Sequence, residues 1–261
     1  MEKEYLEIAT LAAKKAGQFL LKNLGQVNTI EYKGITNLVS DMDKEAEEII
    51  VSILLENYPQ HQILAEERPN QGPASEFKWI IDPLDGTTNY VHGYPCFAVS
   101  IALAIREEIM VGVVYDPLLD EVFSSQKGGG AFLNQKPIKV SETRRLISSL
   151  VATGFSYDII TQDDNSLIYF NHMVKHAQGI RRNGSAALEL CYVAAGRLDG
   201  FWEHKLSPWD MAAGSLMVTE AGGRVTTFTG NLFSIYGDEI LTTNGNIHEE
   251  MIQIFRQNQP V

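Results

Sequence analysis

The sequence predicts an α/β protein whose first half is α+β and whose second half alternates strands and helices. Three observations support this fold class: two amphipathic stretches at the start, a succession of short apolar runs after them, and a regular alternation from about residue 147 onward. Helices packed on sheets around a shared core are the stable arrangement for such a pattern.

The two opening stretches are expected to form helices that cover a sheet. Apolar residues recur at helical spacing from Tyr5 to Leu20 and again in residues 43–57. Ser40 precedes the second stretch and can cap it. Asp43 then lies near the helix start, where the helix dipole stabilises a carboxylate.

The apolar runs after these helices predict an antiparallel meander. Short turn-like segments separate the runs, and consecutive strands joined by short turns are typical of that topology. The expected strands occupy residues 62–65, 77–81, 97–105, 109–115, 121–124 and 131–140.

The second half predicts α/β layering. Its expected strands lie near 149–154, 199–203, 224–228 and 239–242. Its expected helices lie near 163–177, 185–196, 208–221 and 247–257. The change of pattern divides the chain into two expected subdomains, 1–145 and 146–261. Because no long Pro/Ser linker or repeat separates them, we expect them to pack closely, with a site in the crevice.

The composition excludes several classes of protein. The formal net charge is −12, and no run of Lys or Arg is longer than a pair, so the chain should repel nucleic acid and anionic membrane surfaces. Cys96 and Cys191 each lie in an apolar stretch and are expected to be buried free thiols. The acidic first residues and the lack of a long apolar run lead us to expect a cytoplasmic protein with no nucleic-acid or membrane partner.

Acidic residues follow two of the expected strands. The segment "QILAEE" delivers Glu66 at one strand end, and "FKWIID" delivers Asp82, with Asp85 three residues later. If the strands are neighbours, their carboxyl ends bring these carboxylates together. Asp210, in the first turn of the helix that begins in "SPWDMAAG", is a further candidate. Crowded carboxylates raise one another's pKa unless a cation binds between them, and all-oxygen ligands suit Mg²⁺.

The residues after Asp85 are suited to binding an anion. Gly86 lets a ligand approach the backbone, and Thr87 opens an expected helix with unpaired N–H groups. A tight turn alone would also explain "DPLDGTTN", since Asp, Pro, Gly and Asn favour turns. Carboxylates for metal beside N–H groups for phosphate indicate metal-assisted transfer of a phosphoryl group to water. Bound cations would also offset the negative charge that otherwise repels a phosphorylated substrate.

Three motifs carry a family resemblance. The segments "AEE", "WIIDPLDGTTNYVHGYP" and "SPWDMAAGSLMVTEAGG" closely resemble the inositol monophosphatase family, in the family's order, and the likeness extends from about residue 5 to 255. The resemblance implies a layered αβαβα sandwich of the inositol monophosphatase/fructose-1,6-bisphosphatase type. It also implies a lithium-sensitive phosphomonoesterase that uses two or three Mg²⁺ ions per active site, acts on inositol 1-phosphate and forms a homodimer.

The same resemblance assigns roles to residues. The implied metal ligands are Glu66, Asp82, Asp85, Asp210 and the Leu84 carbonyl. Thr87 would pair with Asp43 to orient and deprotonate the attacking water near Glu66, and the backbone N–H groups of Gly86 and Thr87 would hold the phosphate. The implied contacts to the rest of the substrate are Gly184, Ser185, Ala186, Glu203 and Asp210. Arg181 falls at a substrate-side or subunit-interface position, and Lys33 falls on a loop near the phosphate.

The substrate is less closely specified than the reaction. Asn37 stands where many family members have Asp, and Ala65 replaces a common Gly before the glutamate pair. Neither is a ligand position in the family pattern, so these departures bear on loop detail and substrate preference. Relatives with nearly the same metal site act on fructose 1,6-bisphosphate, histidinol phosphate, 3′-phosphoadenosine 5′-phosphate or NADP, and these substrates stay open.

Other classes of protein fit less well. A cysteine-dependent phosphatase needs Arg where Ala102 stands, and an aspartate-nucleophile phosphatase needs Thr or Val where Glu45 stands. A non-enzymatic regulatory partner on the same fold would be expected to lose at least one ligand acid. The acid set is complete in this sequence.

Overall fold

The computed structural model describes residues 2–27, 29–32, 38–68, 72–157, 159 and 166–257. The helices in these residues are α1 (Glu2–Lys22), α2 (Asp41–Asn57), α3 (Thr87–Val91), α4 (Ser166–Met173), α5 (Ala186–Ala194), α6 (Pro208–Glu220) and α7 (His248–Gln257). The strands are β1 (Ile30–Tyr32), β2 (Leu38–Ser40), β3 (Gln62–Ala65), β4 (Phe77–Asp85), β5 (Ala98–Ile105), β6 (Glu108–Asp116), β7 (Glu121–Gln126), β8 (Gly130–Leu133), β9 (Lys136–Ile138), β10 (Leu150–Thr153), β11 (Gly179–Arg181), β12 (Gly200–His204), β13 (Arg224–Thr226) and β14 (Glu239–Thr243).

Two sheets organise the described part of the chain. The larger has the strand order β3-β4-β5-β6-β7-β8-β9, with β3 parallel to β4 and the remaining pairs antiparallel. The smaller has the order β11-β10-β12-β14-β13, in which β10 is parallel to both neighbours and β14 is antiparallel to both of its own. β1 and β2 form a separate antiparallel pair.

The sheets and helices stack in five layers, which confirms the αβαβα sandwich. α1 and α2 pack on one face of the seven-stranded sheet, and α5 and α6 lie between the two sheets. α4 and α7 pack on the outer face of the five-stranded sheet. Each layer buries apolar side chains against the next, as a packed core requires.

The first helix approaches its sheet closely because its inward side chains are small. Four of its alanines are fully buried, and Leu20 is buried with them. A Cβ on Gly17 would come 2.5 Å from the Tyr115 ring of β6. The apolar stripe from Tyr5 to Leu20 therefore marks the buried face of α1, as the helical spacing predicts.

The predicted meander is confirmed from β4 to β9 and wrong for the first strand pair. β3 pairs with β4 in parallel, with Gln62 beside Lys78 and Ala65 beside Ile81. The apolar run at 131–140 is also two strands, because the chain reverses between β8 and β9. Asn134 and Gln135 form that turn with φ of 47° and 65°, a left-handed conformation that suits a two-residue hairpin.

The second half contains the predicted strands and helices, and in addition the strand β11, which was not predicted. The helix expected at 163–177 is α4, which ends at Met173, where the chain turns; residues 163–165 lie outside the described residues. α5 and α6 come from the second half of the sequence but pack between both sheets, so the two halves share one core layer. The division into subdomains 1–145 and 146–261 stays a prediction.

Both cysteines are free thiols, as predicted, but only one of the two is buried. Cys191 is buried and Cys96 is half-buried. Among the described helices, none combines the length and the apolar character that crossing a bilayer would require.

Candidate active site

The carboxyl ends of β3 and β4 place two acidic residues side by side. The parallel register runs to Ala65 and Ile81, so Glu66 and Asp82 follow at adjacent positions. The Glu66 N–H donates to the Ile81 carbonyl at 3.2 Å, which continues the pairing past the strand end. The expected neighbourhood of these two strand ends is confirmed.

An irregularity in β4 brings Asp85 to the same side as Asp82. In a regular strand, residues three apart point to opposite faces of the sheet. The register between β4 and β5 shifts between Asp82 and Asp85, around Pro83, which has no N–H to donate. The Leu84 N–H donates instead to Asp82 Oδ1 at 2.9 Å. The tight turn expected from the sequence is therefore the feature that brings Asp82 and Asp85 together.

Asp210 reaches this place from the start of α6. Its Oδ2 accepts the Ser207 N–H at 2.7 Å, which closes a capping box at the helix N-terminus. Ser100, which is opposite Asp82 in the sheet, donates its hydroxyl to the Trp209 carbonyl at 3.2 Å. This contact holds the helix start beside the strand that carries Asp82.

The carboxylates of Asp82, Asp85 and Asp210 form one cluster, in which a ligand oxygen from each lies within 4.8 Å of the others. Burial, and then repulsion from Glu66 and Asp85, raises the pKa of Asp82 well above its usual value. Burial raises the pKa of Asp85 to about 6, although a hydrogen bond from Ser185 opposes the shift. Burial, with repulsion from Asp85 and Glu66, raises the pKa of Asp210.

A cation would resolve the repulsion within this cluster. Each of the three carboxylates uses one oxygen for a hydrogen bond to the protein, which fixes its orientation. A carboxylate held in this way can still offer its second oxygen to a metal. Oxygen donors of this kind are the ligands that Mg²⁺ prefers, whereas zinc favours His and Cys. The donor set therefore fits Mg²⁺.

Thr87, the first residue of α3, is bonded to Asp43 in α2. Thr87 Oγ1 lies 2.8 Å from Asp43 Oδ1 and 3.1 Å from the Leu84 carbonyl oxygen. Asp43 Oδ2 accepts the N–H and the O–H of Ser40 at 2.8 and 2.5 Å. Burial raises the pKa of Asp43, and the hydrogen bonds from Ser40 and Thr87 oppose that shift. The Thr87–Asp43 pair is therefore buried and hydrogen-bonded beside the Leu84 carbonyl.

Gly86 gives the turn between β4 and α3 its shape. Its φ is 96°, a conformation that side chains rarely adopt. A Cβ at this position would also lie 2.9 Å from the Cys96 carbonyl oxygen and 3.2 Å from that of Gly184. Only glycine therefore lets the strand end and the loop before α5 approach each other here.

These residues line a cleft with two adjoining lobes. The acidic lobe, with a volume of about 260 Å³, is lined by residues that include Glu66, Asp82, Leu84, Thr87 and Trp209. The side lobe, of about 320 Å³, is lined by residues that include Asn89, Gly154, Arg182, Gly184, Ser185, Ala186 and Glu189. Both lobes share Asp85, Gly86, Phe155, Ser156, Tyr157, Glu203, Leu206 and Asp210. The cleft has the size and concave shape of a small-molecule site.

Glu203 and Gly154 meet where the two lobes join. β10 pairs with β12 in parallel, with Thr153 beside Trp202, so the next residues on the two strands are neighbours. A Cβ on Gly154 would overlap the Glu203 carboxylate. The absence of a side chain at residue 154 is what gives the Glu203 carboxylate its place in the cleft.

Comparison with known proteins identifies the family of the chain. Residues 1–260 match the family model described as the inositol monophosphatase family. The chain belongs to the inositol monophosphatase family. It is 46% identical over 251 residues to an inositol-1-monophosphatase of Synechocystis sp., covering 95% of this chain and 88% of that protein. The protein is therefore an enzyme of the phosphatase class.

Two further relatives extend this result. Nus factor SuhB of Vibrio cholerae is 43% identical over 256 residues, covering 97% of this chain and 96% of that protein. The solved structure of inositol monophosphatase from Anabaena superposes with a TM-score of 0.90 at 44% identity, covering 99% of this chain and 98% of that chain. The family fold thus extends over nearly the whole chain.

Most of the site residues expected from the sequence line the cleft of this family member. Asp43 lies behind it and contacts it through Thr87. Arg181 ends β11 with an exposed side chain, and Arg182, its neighbour, lines the side lobe. Lys33 lies outside the described residues. The roles assigned to these residues stay predictions.

Several residues that line the cleft were not among the predicted site residues. The segment Gly154–Tyr157 follows β10 directly; Gly154 lines the side lobe, and the three residues after it line both lobes. The carboxyl end of a strand in an α/β sheet is a common place for ligand contacts, so the predicted strand near 149–154 could have indicated it. Glu189 is a buried acid in the otherwise apolar helix α5. A lone acid in such a helix signals a buried polar contact.

Proposed function

We propose that the protein is a Mg²⁺-dependent phosphomonoesterase that hydrolyses inositol 1-phosphate to inositol and phosphate. The observation that carries this proposal is the convergence of Asp82, Asp85 and Asp210 within 4.8 Å, in a cleft that also contains Thr87. The all-carboxylate donor set suits Mg²⁺. Glu66 and the Leu84 carbonyl, which line the same lobe, complete the proposed ligands for two or three ions.

The bound ions would supply positive charge that lowers the pKa of a coordinated water and offsets the charge of the phosphate. The chain supplies the geometry. Thr87 donates its single hydroxyl proton toward Asp43 Oδ1 at 2.8 Å, so the lone pairs of Thr87 Oγ1 can accept a hydrogen bond from the attacking water. Asp43, buried and held by Ser40, would accept the Thr87 proton as Thr87 Oγ1 takes one from the attacking water, so that Thr87 remains a hydroxyl and the proton of the water ends on Asp43.

The backbone at the start of α3 is proposed to hold the phosphate. Gly86 and Thr87 line the acidic lobe, and the first N–H groups of a helix have no partner within it. The positive φ of Gly86 and its missing side chain leave room for an anion to approach. An oxyanion placed there would lie beside the carboxylate cluster that holds the metal.

The side lobe is suited to the alcohol part of a polyol phosphate. Ser185 and Glu203, which carry side-chain oxygen atoms, line this lobe together with Gly184 and Ala186. Hydroxyl groups of a ring are recognised by such closely spaced donors and acceptors. The names of the relatives from Synechocystis and Anabaena, both inositol monophosphatases, support inositol as that alcohol.

Several properties implied by the resemblance complete the proposal. We propose that Arg181 and Lys33 contact the substrate side of the site, that Li⁺ inhibits the enzyme, and that the enzyme is a cytoplasmic homodimer. A mass measurement in solution tests the dimer. The Vibrio cholerae relative is named a Nus factor, but the acid set expected of a phosphatase is complete in this chain, which favours catalysis over a purely regulatory role.

A panel of phosphate esters tests the substrate. At saturating Mg²⁺ we expect the highest kcat/KM for inositol 1-phosphate, compared with fructose 1,6-bisphosphate, histidinol phosphate, 3′-phosphoadenosine 5′-phosphate and NADP. The ratio of kcat/KM values measures discrimination between competing substrates. If any of the other four esters gave a higher kcat/KM, that ester would be the preferred substrate in place of inositol 1-phosphate. The reaction class would be unchanged.

A further inference from the structure

The loop before α5 forms one wall of the side lobe and is held from two sides. Gly184 and Ser185 of this loop line the lobe. The Asn183 backbone just before them is hydrogen-bonded through both its N–H and its carbonyl. We propose that Glu189 and Asn89 are positioning residues that clamp the Asn183 backbone and thereby set how tightly the side lobe binds the alcohol part of the substrate. This inference rests on the proposed phosphatase function.

Glu189 holds the loop from within α5. Its Oε1 accepts the Asn183 N–H at 3.0 Å, and the residue is 1% exposed. Burial raises the pKa of Glu189 to about 8, although the Asn183 N–H opposes the shift. A buried carboxyl in an apolar helix is costly unless it is hydrogen-bonded. The contact with the loop explains why this acid is tolerated among the apolar side chains of α5.

Asn89 binds the carbonyl of Asn183 from the opposite side of the cleft. It belongs to α3, and its Nδ2 lies 2.7 Å from the Asn183 carbonyl oxygen, 3.3 Å from that of Gly184 and 2.7 Å from that of Cys96. A side-chain amide has two N–H donors, which suffice for the two short contacts. The helix proposed to hold phosphate therefore also fixes the loop proposed to bind the alcohol.

The close approach of Gly184 shows how little room the clamp leaves. Gly184 has a φ of 83°, and a Cβ on it would lie 3.1 Å from Asn89 Nδ2 and 2.7 Å from a guanidinium nitrogen of Arg182. Because Gly184 has no side chain, the loop backbone packs directly against the Asn89 side chain of α3. If Glu189 and Asn89 were removed, the N–H and the carbonyl of Asn183 would lose these hydrogen-bond partners. We therefore expect the loop to shift and the side lobe to change shape.

Catalytic geometry should be affected less than binding, because Asp85 is anchored separately. Asp85 Oδ2 accepts the Ser185 hydroxyl at 2.5 Å and the Ala187 N–H at 2.8 Å. Ser185 is the cap of α5 and Ala187 lies in its first turn, two and four residues beyond Asn183. Loss of the clamp is therefore expected to raise KM for a polyol phosphate and to change kcat little.

The test compares two substitutions of Glu189 in the full-length Mg²⁺-loaded enzyme. Glu189→Leu removes the acceptor, and Glu189→Gln keeps a carbonyl oxygen at the same place. With inositol 1-phosphate, Glu189→Leu should raise KM about tenfold, the loss expected for one buried hydrogen bond, with kcat nearly unchanged. Glu189→Gln should restore the wild-type KM. With 4-nitrophenyl phosphate, which has no ring hydroxyls, neither variant should change KM.

Asn89→Ala provides an independent arm if Glu189→Leu does not fold, as judged by its thermal melt. It should raise KM for inositol 1-phosphate in the same way. Where both single variants fold, the double variant should raise KM by less than the two single effects combined, because both residues hold the backbone of Asn183. A folded Glu189→Leu or Asn89→Ala variant with unchanged KM for inositol 1-phosphate, or with an equal loss on both esters, would overturn the clamp. A wild-type enzyme that cleaves neither ester would instead overturn the proposed function, and the clamp with it.

Discussion

We expect Asp85→Asn to lower kcat by about 10²–10³-fold, the loss typical of removing one preorganised electrostatic contact to a transition state. Asp85 lines both lobes of the cleft and belongs to the cluster within 4.8 Å. Asn has almost the same volume but carries no charge and presents an amide in place of one oxygen. The variant therefore removes a proposed Mg²⁺ ligand while filling the same space. Steady-state phosphate release at saturating Mg²⁺ measures the effect.

Asp116→Asn is the matched control for this variant. Asp116 is also a buried aspartate on the seven-stranded sheet, and its Oδ1 accepts the N–H groups of Leu118 and Leu119. Asn can keep that acceptor, and neither lobe of the cleft includes Asp116 among its lining residues. We expect unchanged kcat in the control. Equal activity of Asp85→Asn and Asp116→Asn would contradict the role of Asp85 in the metal site.

We expect Thr87→Val to lower kcat by about a hundredfold or more, within the range typical of a lost general acid–base contact. Val keeps the shape of Thr but removes the hydroxyl that donates to Asp43 at 2.8 Å. The proposed alignment of the attacking water is lost with it, whereas the backbone N–H groups proposed to hold phosphate remain. Thr87→Ser restores the hydroxyl and should recover most of kcat. Rates under saturating substrate separate this loss from a change in KM.

Thr242→Val serves as the control for removing a buried hydroxyl. Thr242 is fully buried in β14, and its hydroxyl donates to the Phe201 carbonyl at 3.4 Å, in the core of the smaller sheet. Its loss should affect the thermal melt and leave kcat unchanged. If Thr87→Val behaves like Thr242→Val, the hydroxyl of Thr87 has no part in the reaction.

The layered fold could be predicted from the sequence, but one strand direction could not. Periodicity locates α1, α2 and most strands because apolar side chains must face a core. It gives no direction to a short run such as Gln62–Ala65, which pairs in parallel with β4. Residues 131–140 were predicted as one strand, although Asn134 and Gln135 interrupt its apolar residues; the positive φ of these two residues makes the turn. Direction and turn conformation both depend on the neighbouring strand.

The acids of the site could be predicted because they follow strand ends and helix starts in long motifs. Glu66, Asp82 and Asp210 all occupy such positions. The side lobe could not be predicted in the same detail, since it depends on which loops meet after folding. Arg182 lines it although the family pattern directed attention to Arg181. The clamp by Glu189 joins residues whose contact no local pattern indicates.

The most direct test of the proposed metal-dependent reaction is a Mg²⁺ titration of the protein after removal of divalent ions with EDTA. Phosphate release from inositol 1-phosphate is measured at each Mg²⁺ concentration. We predict no release above the uncatalysed rate before Mg²⁺ is added and a saturable rise in rate as it is added. A rate that is substantial in EDTA and does not respond to Mg²⁺ would contradict the proposed role of the carboxylate cluster.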